Sequence, residues 1–132
     1  MYLLDTNICI YAMKNKYPSL SVKLFQIAPS EIFVSAITVG ELEYGCAKSN
    51  WGTRSQTVMK LFLFAYTILP FESRDAAAFG RLRAELAKAG KPIGPYDIQI
   101  AAQGIARGIT VITHNVGEFC RVPGLKVEDW TM

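Results

Sequence analysis

The sequence predicts an α/β fold built on a parallel sheet. Short apolar runs rich in β-branched residues alternate with longer segments of helical periodicity. The intervening segments are long enough for the helical crossovers that parallel strands require, so we expect right-handed connections between parallel strands. A chain of 132 residues with 51% hydrophobic composition can bury one core. Residues 1–132 are therefore expected to form a single domain.

Five segments are predicted as strands, because apolar and β-branched residues fall there between turn-forming residues. They are Tyr2–Asp5, Glu31–Ser35, Thr67–Phe71, Ile109–Thr113 and Leu125–Val127, the last with the faintest pattern.

The helices are predicted from apolar residues at helical spacing. The clearest is Arg74–Ala89, where Ala78, Leu82 and Leu86 form a stripe and Gly90 ends the pattern. Pro95 is a natural first residue for another helix. The remaining helices are predicted at Ile8–Lys14, Ser19–Ala28, Ile37–Lys48 and Thr53–Phe64.

Composition narrows the class of protein. A net charge of +3, from 14 Lys and Arg against 11 Asp and Glu, suits either a polyanion-binding surface or an ordinary globular domain. Three widely spaced cysteines, Cys9, Cys46 and Cys120, indicate neither a disulfide framework nor a zinc site. No apolar run approaches the length of a membrane span, and no signal peptide is visible, so we expect a cytoplasmic protein without membrane contact.

Four acids stand where a site is expected. Asp5 ends the first strand, and ligands of open α/β sheets bind beyond the carboxyl ends of the strands. Glu41, Asp97 and Glu118 recur in comparable settings. Separated acids without a nearby Cys partner suit hard cations such as Mg²⁺ or Mn²⁺. The pattern therefore favours a metal-dependent phosphodiesterase.

Each acid also has a purely structural interpretation. Asp5 is a good helix N-cap, and Asp97 in a first helical turn would interact favourably with the helix dipole. Glu118 follows the short turn His114–Gly117 and is also consistent with a surface acid. Glu41 is the hardest to explain this way, since it lies on a mostly apolar face, whereas Glu43 points elsewhere to solvent.

Four motifs in this order resemble the PIN-domain ribonucleases, and within them the VapC-type toxins of bacterial type II toxin-antitoxin systems. The resemblance covers nearly the whole chain. Its motifs are Leu4-Asp5-Thr6-Asn7-Ile8, Ser35-Ala36-Ile37-Thr38-Val39-Gly40-Glu41-Leu42-Glu43-Tyr44-Gly45, Gly94-Pro95-Tyr96-Asp97-Ile98-Gln99-Ile100-Ala101-Ala102 and Thr113-His114-Asn115-Val116-Gly117-Glu118-Phe119.

The resemblance implies a three-layer α/β/α PIN-like fold with a central parallel sheet of about five strands. It also implies that Asp5, Glu41 and Asp97 bind the catalytic metal and that a fourth acid assists. Many family members carry that acid directly after the Thr-x pair, where this chain has Asn115, so either Glu118 or Asn115 completes the site. Thr6 and Thr113 match the family's small hydroxyl residues, and we expect them to support the site.

The chemistry expected of such a site is phosphodiester hydrolysis, in which a bound divalent ion lowers the pKa of water and stabilises charge on the phosphate. The resemblance implies RNA as substrate, commonly tRNA, with the anticodon stem-loop of initiator tRNA as a candidate target. Whether one ion or two is bound stays open. His114 is the only His and is expected to contact either solvent or RNA. Candidate phosphate contacts are Lys14, Lys16, Arg54, Arg74, Lys91 and Arg121.

The resemblance further implies a cognate antitoxin and a homodimer. The segment 51–64 carries more apolar residues than one face of a surface helix needs, which predicts either a docking surface or a helix buried in its own core. These residues are Trp51, Val58, Met59, Leu61, Phe62 and Phe64. Two other functions stay open: a non-catalytic nucleic-acid-binding module and a metallophosphatase acting on small esters. A dinucleotide-binding role is disfavoured because no G-x-G-x-x-G follows the first strand.

Overall fold

A computed structural model describes residues 1–49 and 53–132. The strands are β1 (Tyr2–Leu4), β2 (Ile32–Ser35), β3 (Thr67–Leu69), β4 (Thr110–Ile112) and β5 (Val127–Glu128). The helices are α1 (Thr6–Met13), α2 (Pro18–Gln26), α3 (Ala36–Lys48), α4 (Thr53–Phe64), α5 (Ser73–Lys88), α6 (Pro95–Arg107) and α7 (Val116–Phe119), with a 3₁₀ turn at Pro29–Glu31.

The sheet has the order β3-β2-β1-β4-β5, and every neighbouring pair is parallel. The predicted parallel sheet of about five strands is therefore confirmed. Because β1 lies at the centre, the chain moves to one side of it to form β2 and β3 and to the other side to form β4 and β5. Such a reversal opens a crevice at the carboxyl ends of the central strands.

Helices cover both faces of the sheet, which confirms the three-layer α/β/α fold. Alternation along β1 sends Leu3 into a core shared with α5 and α6, and Leu4 into a second core shared with α1, α2, α3 and α4. Both leucines are fully buried. The strands read as continuous apolar runs because helices cover both of their faces.

Most predicted elements lie within one or two residues of those observed, and the differences have local causes. The first strand ends at Leu4 because Asp5 takes the N-cap position of α1. The third strand ends at Leu69, since Pro70 has no N–H to donate to a neighbouring strand. The segment His114–Gly117, predicted as a turn, instead leads into α7, a helix of four residues that is too short to show helical periodicity.

The predicted docking segment is divided between core and surface. Trp51 lies outside the described residues. Met59 is 3% exposed and belongs to the core, whereas Leu61 and Phe64 are 72% and 91% exposed. The interpretation of a helix buried in its own core therefore holds for the face with Met59, and the docking surface stays a prediction for the exposed face with Leu61 and Phe64. In the ranges 1–49 and 53–132, no helix combines the length and apolar character needed to cross a membrane.

Candidate active site

The centre of the sheet brings the first predicted acid to the crevice. Asp5 follows β1, and its backbone N–H donates to the carbonyl of Ile112 at the end of β4. Ser35 ends β2 and caps α3, the helix that carries Glu41. Thr113 follows β4. The residues at the carboxyl ends of three adjacent strands therefore lie at the same edge of the sheet.

A cavity of about 200 Å³ opens at this place. Three of the four predicted acids line it, together with Asn115 and the supporting residue Thr6. Its lining residues are Asp5, Thr6, Asn7, Glu41, Gly94, Pro95, Tyr96, Asp97 and Asn115. The structure thus brings together residues that are up to 110 positions apart in the sequence, counting from Asp5 to Asn115.

Asp5 caps a helix and also lines the cavity. Its Oδ1 accepts a hydrogen bond of 2.8 Å from the N–H of Ile8, and the side chain is 3% exposed. The pKa of Asp5 is raised to about 6, chiefly by burial. Hydrogen bonds from Thr113 and Ile8 oppose this increase, and the charges of Glu41 and Asp129 add to it. The capping interpretation is correct but incomplete, because a cap alone does not require a buried carboxylate beside other acids.

Asp97 lies in the first turn of α6, which begins at Pro95 as expected. Burial and, after it, the charges of Glu118, Asp5 and Glu41 together raise the pKa of Asp97 to about 6. All four predicted acids therefore interact electrostatically at Asp97. A favourable helix dipole does not compensate for this repulsion, since the pKa rises rather than falls.

Glu41 is held in place by a hydroxyl group from α1. Its Oε1 accepts a hydrogen bond of 2.6 Å from Thr6 Oγ1, which also lies 3.1 Å from Thr38 Oγ1. Thr38 is fully buried. The predicted supporting role of Thr6 thus corresponds to orienting a carboxylate. Glu43, expected to face solvent, is exposed.

Glu118 sits at the edge of the cavity with both carboxylate oxygens engaged. Oε1 accepts a hydrogen bond of 2.7 Å from the N–H of Gly94, and Oε2 accepts one from Asn115 Nδ2. A methyl group added at Gly94 would lie 3.6 Å from Asp97 Oδ2 and 3.7 Å from Glu118 Oε1. Asn115 and Glu118, the two candidates for the fourth position, are therefore hydrogen-bonded to each other.

Sequence reasoning did not select three residues of this site: Asn7, Tyr96 and Thr38. The first two line the cavity, and Thr38 contacts the hydroxyl that holds Glu41. All three stand inside the motifs quoted above, directly beside or within one helical turn of an acid. That proximity is the signal by which they could have been found.

The donor atoms fit a divalent cation. Carboxylate, amide and hydroxyl oxygens are ligands for hard ions, and burial, with the charges of neighbouring carboxylates, raises the pKa values of Asp5 and Asp97 and so disfavours their charged forms. Within the described parts of the chain, no three His, Cys, Asp or Glu side chains already converge on one point. An ion bound here would draw the separated carboxylates together.

A larger cavity of about 590 Å³ lies next to the acid cavity, between α1, α3 and α4. Glu41 lines both cavities, so its side chain lies between them. The larger cavity is mainly apolar, through residues such as Leu42, Val58 and Met59, and Lys14 and Arg54 stand on its wall. Two of the candidate phosphate contacts therefore lie next to the acids.

The chain is similar to known proteins over its full extent. The PIN domain family model matches residues 2–125. A protein of Salmonella typhimurium named tRNA(fMet)-specific endonuclease VapC is 41% identical over 129 residues, covering 98% of this chain and 97% of the relative. Ribonuclease VapC2 of Haemophilus influenzae is 43% identical over 129 residues, with the same coverage of 98% and 97%.

Solved structures agree in fold. The crystal structure of DNA-bound VapBC from Salmonella typhimurium matches with a TM-score of 0.92 at 40% identity, over 98% of this chain and 97% of that one. VapBC2 from Rickettsia felis, bound to a promoter DNA fragment, matches with a TM-score of 0.92 at 37% identity, over 98% of each chain. The chain therefore belongs to the PIN-domain family and, within it, to the VapC ribonucleases.

Proposed function

We propose that this protein is the toxin of a toxin-antitoxin module and hydrolyses phosphodiester bonds in tRNA, with the anticodon stem-loop of initiator tRNA as its target. The observation that carries the proposal is the acid-lined cavity at the carboxyl ends of β1, β2 and β4. Relatives above 40% identity that are named as a tRNA(fMet)-specific endonuclease and a ribonuclease support it. Cleavage there would inhibit translation.

Asp5, Glu41 and Asp97 are proposed to hold a divalent ion, Mg²⁺ or alternatively Mn²⁺. When bound, such an ion supplies an activated water and a Lewis acid for the phosphate. Thr6 orients Glu41, and Thr113 donates to Asp5, so the carboxylates face the cavity with little freedom. Because the neighbouring carboxylates raise the pKa of Asp97, a cation bound beside it would relieve the repulsion between their charges.

Glu118 is proposed as the fourth acid of the site. Its contact with the N–H of Gly94 ties the loop before α6 to α7, and that loop positions Asp97. Asn115 completes this arrangement through its hydrogen bond to Glu118 and through its own N–H, which donates to Thr113 Oγ1 over 2.9 Å. Glu118 would reach an ion through a bridging water.

We propose that residues 1–132 act as one PIN domain in the cytoplasm, as a homodimer that pairs with a cognate antitoxin. Similar solved structures are VapBC complexes. The exposed apolar residues of α4 and the cavity of about 590 Å³ beside Glu41 offer a surface suited to such a partner. An antitoxin segment in that cavity would lie next to the acids.

Incubation of the purified protein with total tRNA tests the proposed function. We expect cleavage at a discrete position with Mg²⁺ and none with EDTA, because chelation removes the ion that activates water. Cleavage should also decline with salt, roughly linearly on logarithmic axes, since Lys and Arg contacts to phosphate release counterions. Turnover of bis-p-nitrophenyl phosphate should need the metal but respond little to salt.

Three results would contradict the proposal. Cleavage that persists in EDTA would exclude a metal nuclease. Metal-dependent turnover of the small ester without action on any RNA would favour a metallophosphatase. Salt-sensitive tRNA binding without turnover, in the presence of Mg²⁺ or Mn²⁺, would identify a non-catalytic nucleic-acid-binding module.

Glu118→Gln is expected to reduce activity less than a change at Asp5, Glu41 or Asp97. The amide oxygen of Gln can still accept from Gly94, so the loop stays in place while one charge is lost. We expect a loss of roughly 10- to 100-fold, the range typical of residues that orient metal ligands. Asn115→Ala is the matched comparison, measured by kcat/KM on the mapped tRNA substrate. If Asn115→Ala is the more damaging change, Asn115 rather than Glu118 is the functional group of the fourth position.

A further inference from the structure

Beside the acid cavity lies a surface cluster that the catalytic proposal does not use. We call it the aromatic patch: Tyr11, Tyr17, His114 and Lys16. The Tyr11 and Tyr17 rings pack edge to face with centroids 5.2 Å apart, and the His114 ring lies 5.7 Å from Tyr17 at an interplanar angle of 37°. The Lys16 ammonium stands 4.7 Å from the Tyr11 centroid and 5.5 Å from that of Tyr17.

Local structure explains only part of the patch. Tyr11 and Tyr17 flank the turn between α1 and α2, which Lys16 closes by donating its N–H to the carbonyl of Tyr11. Their contact stabilises that turn. The His114 side chain, 47% exposed, comes from the far end of the chain and adds little to closing the turn. The exposed Lys16 ammonium likewise places a positive charge over aromatic rings at the surface.

The His114 ring has a fixed orientation. Its Nδ1 lies 3.2 Å from Asp129 Oδ2 and 2.9 Å from Thr131 Oγ1. Asp129 is itself held by Thr131, whose N–H and hydroxyl both reach Asp129 Oδ1. A ring anchored on one edge while still exposed is preorganised to accept a flat group on its face.

Two residues of the patch are close along the chain to residues that line the acid cavity. His114 stands between Thr113, which donates to Asp5, and Asn115, which lines the cavity. Tyr11 follows the cavity residue Asn7 by one helical turn, on the same face of α1. A polymer with one phosphate at the acids would therefore extend across the patch.

We propose that the aromatic patch binds an unpaired nucleotide of the RNA substrate next to the cleaved phosphate, with the base stacked on His114 and a backbone phosphate at Lys16. This inference rests on the proposed function. Every base has a π-face, so stacking on aromatic rings tolerates any sequence and selects unpaired nucleotides over a helix. The patch would thus direct cleavage to a loop, where bases can splay out.

The first test compares RNA with the small ester. For His114→Ala we expect kcat/KM on the mapped tRNA to fall about 5- to 150-fold relative to kcat/KM on bis-p-nitrophenyl phosphate, the range that loss of one stacked base gives. His114→Phe loses the bonds to Asp129 and Thr131 but keeps an aromatic ring on which a base can stack. It should therefore restore most of the RNA activity that His114→Ala loses. Phe25→Ala, which removes an exposed ring of α2 outside the patch, is the control and should change neither activity.

The second test identifies the contacted nucleotide. Abasic substitutions are placed, one at a time, within three nucleotides of the mapped cleavage site, and binding is measured by fluorescence anisotropy in an Asp97→Asn background that prevents cleavage. At one position, the abasic substitution should weaken RNA binding by the protein that retains His114. The same substitution should not weaken RNA binding by the His114→Ala variant, which has already lost the stacking contact. Lys16→Gln should reduce the slope of log affinity against log salt by about 0.7, the contribution of one phosphate contact on a single strand.

The outcomes separate this inference from the proposed function. If the unmodified protein cleaves no RNA with Mg²⁺ or Mn²⁺, the proposed function fails first. If it cleaves RNA but His114→Ala lowers RNA and ester turnover equally, or His114→Phe fails to restore activity, His114 acts structurally and the inference is overturned. The inference also fails if no abasic position interacts with His114.

Discussion

Replacing Asp5 with Asn is expected to abolish RNA cleavage while making the metal-free protein more stable. The change removes a proposed metal ligand, and loss of several kcal/mol of transition-state stabilisation corresponds to a decrease on the order of 10³-fold in kcat/KM. Asn is as good an N-cap as Asp, so the hydrogen bond from Ile8 to position 5 is retained. The fold should therefore survive.

The gain in stability should depend on pH in a defined direction. Burial chiefly raises the pKa of Asp5 from 3.8 to about 6, so the folded protein holds this proton more tightly than the unfolded chain. Below pH 4 the residue is protonated in both states and Asp5→Asn changes little. As pH rises from 4 to 6 the wild-type protein loses stability relative to the variant. Above pH 6 the difference in free energy of unfolding is constant, with an upper limit of about 3 kcal/mol.

Thermal melts in EDTA between pH 4 and 8, paired with tRNA cleavage assays, check both effects. Addition of Mg²⁺ should raise the melting temperature of the wild-type protein more than that of the variant. Glu43→Gln serves as control, since it removes an exposed acid from the neighbouring helix α3 and should change neither property. Cleavage by Asp5→Asn within tenfold of wild type would remove Asp5 from the catalytic site.

Sequence patterns predicted the sheet well because its central strands β1, β2 and β4 are mostly buried on both faces. Runs such as 2–4 and 32–34 are continuously apolar, and a polar residue follows each of them. The order of the strands is a different matter. Nothing in the local sequence around β1 indicates that it pairs with both β2 and β4, because that arrangement arises from packing of distant helices on the two faces.

Sequence patterns identified the candidate acids, but they did not indicate which atoms hydrogen-bond within the site. Asp5 follows a strand, Asp97 lies in the first turn of a helix and Glu41 lies on a mostly apolar helix face, each within a recognisable motif, so sequence reasoning assigned them to one site. The bond between Glu118 and the N–H of Gly94 joins residues 24 positions apart. The hydroxyl pair Thr6 and Thr38 is separated by 32 positions. Contacts of this kind depend on the completed fold and leave no periodic signal.

Arg107→Met is expected to destabilise the protein by about 3–5 kcal/mol, the range for breaking a buried ion pair by removing one partner. Arg107 Nε and Nη2 donate to the two carboxylate oxygens of Asp75 over 3.1 Å and 2.9 Å, and Asp75 is fully buried. Nη2 also contacts Glu72 at 2.7 Å and the carbonyl of Pro70 at 3.2 Å. One side chain thus joins the end of α6 to the loop before α5.

The pH dependence identifies the cause. Burial alone would raise the pKa of Asp75, but hydrogen bonds from Arg107 and from the Glu72 backbone, with the Arg107 charge, lower it. Without Arg107, burial raises the pKa of Asp75 and only weaker contacts oppose it. Asp75 therefore takes up a proton more readily in the folded variant. The difference in free energy of unfolding between wild type and Arg107→Met, measured by urea denaturation, should therefore narrow as pH falls from 7 toward 4.

A double variant tests whether the unpaired buried charge is what destabilises Arg107→Met. Adding Asp75→Asn removes that charge, so the double variant should be more stable than the sum of the two single losses predicts. Activity per folded molecule should persist at low temperature, because Asp97 lies ten residues from Arg107 on α6, about 15 Å along the axis. Strictly additive losses, or a loss below about 1 kcal/mol for Arg107→Met, would mean that Asp75 is solvated by other groups and that this pair does not hold α6 in place.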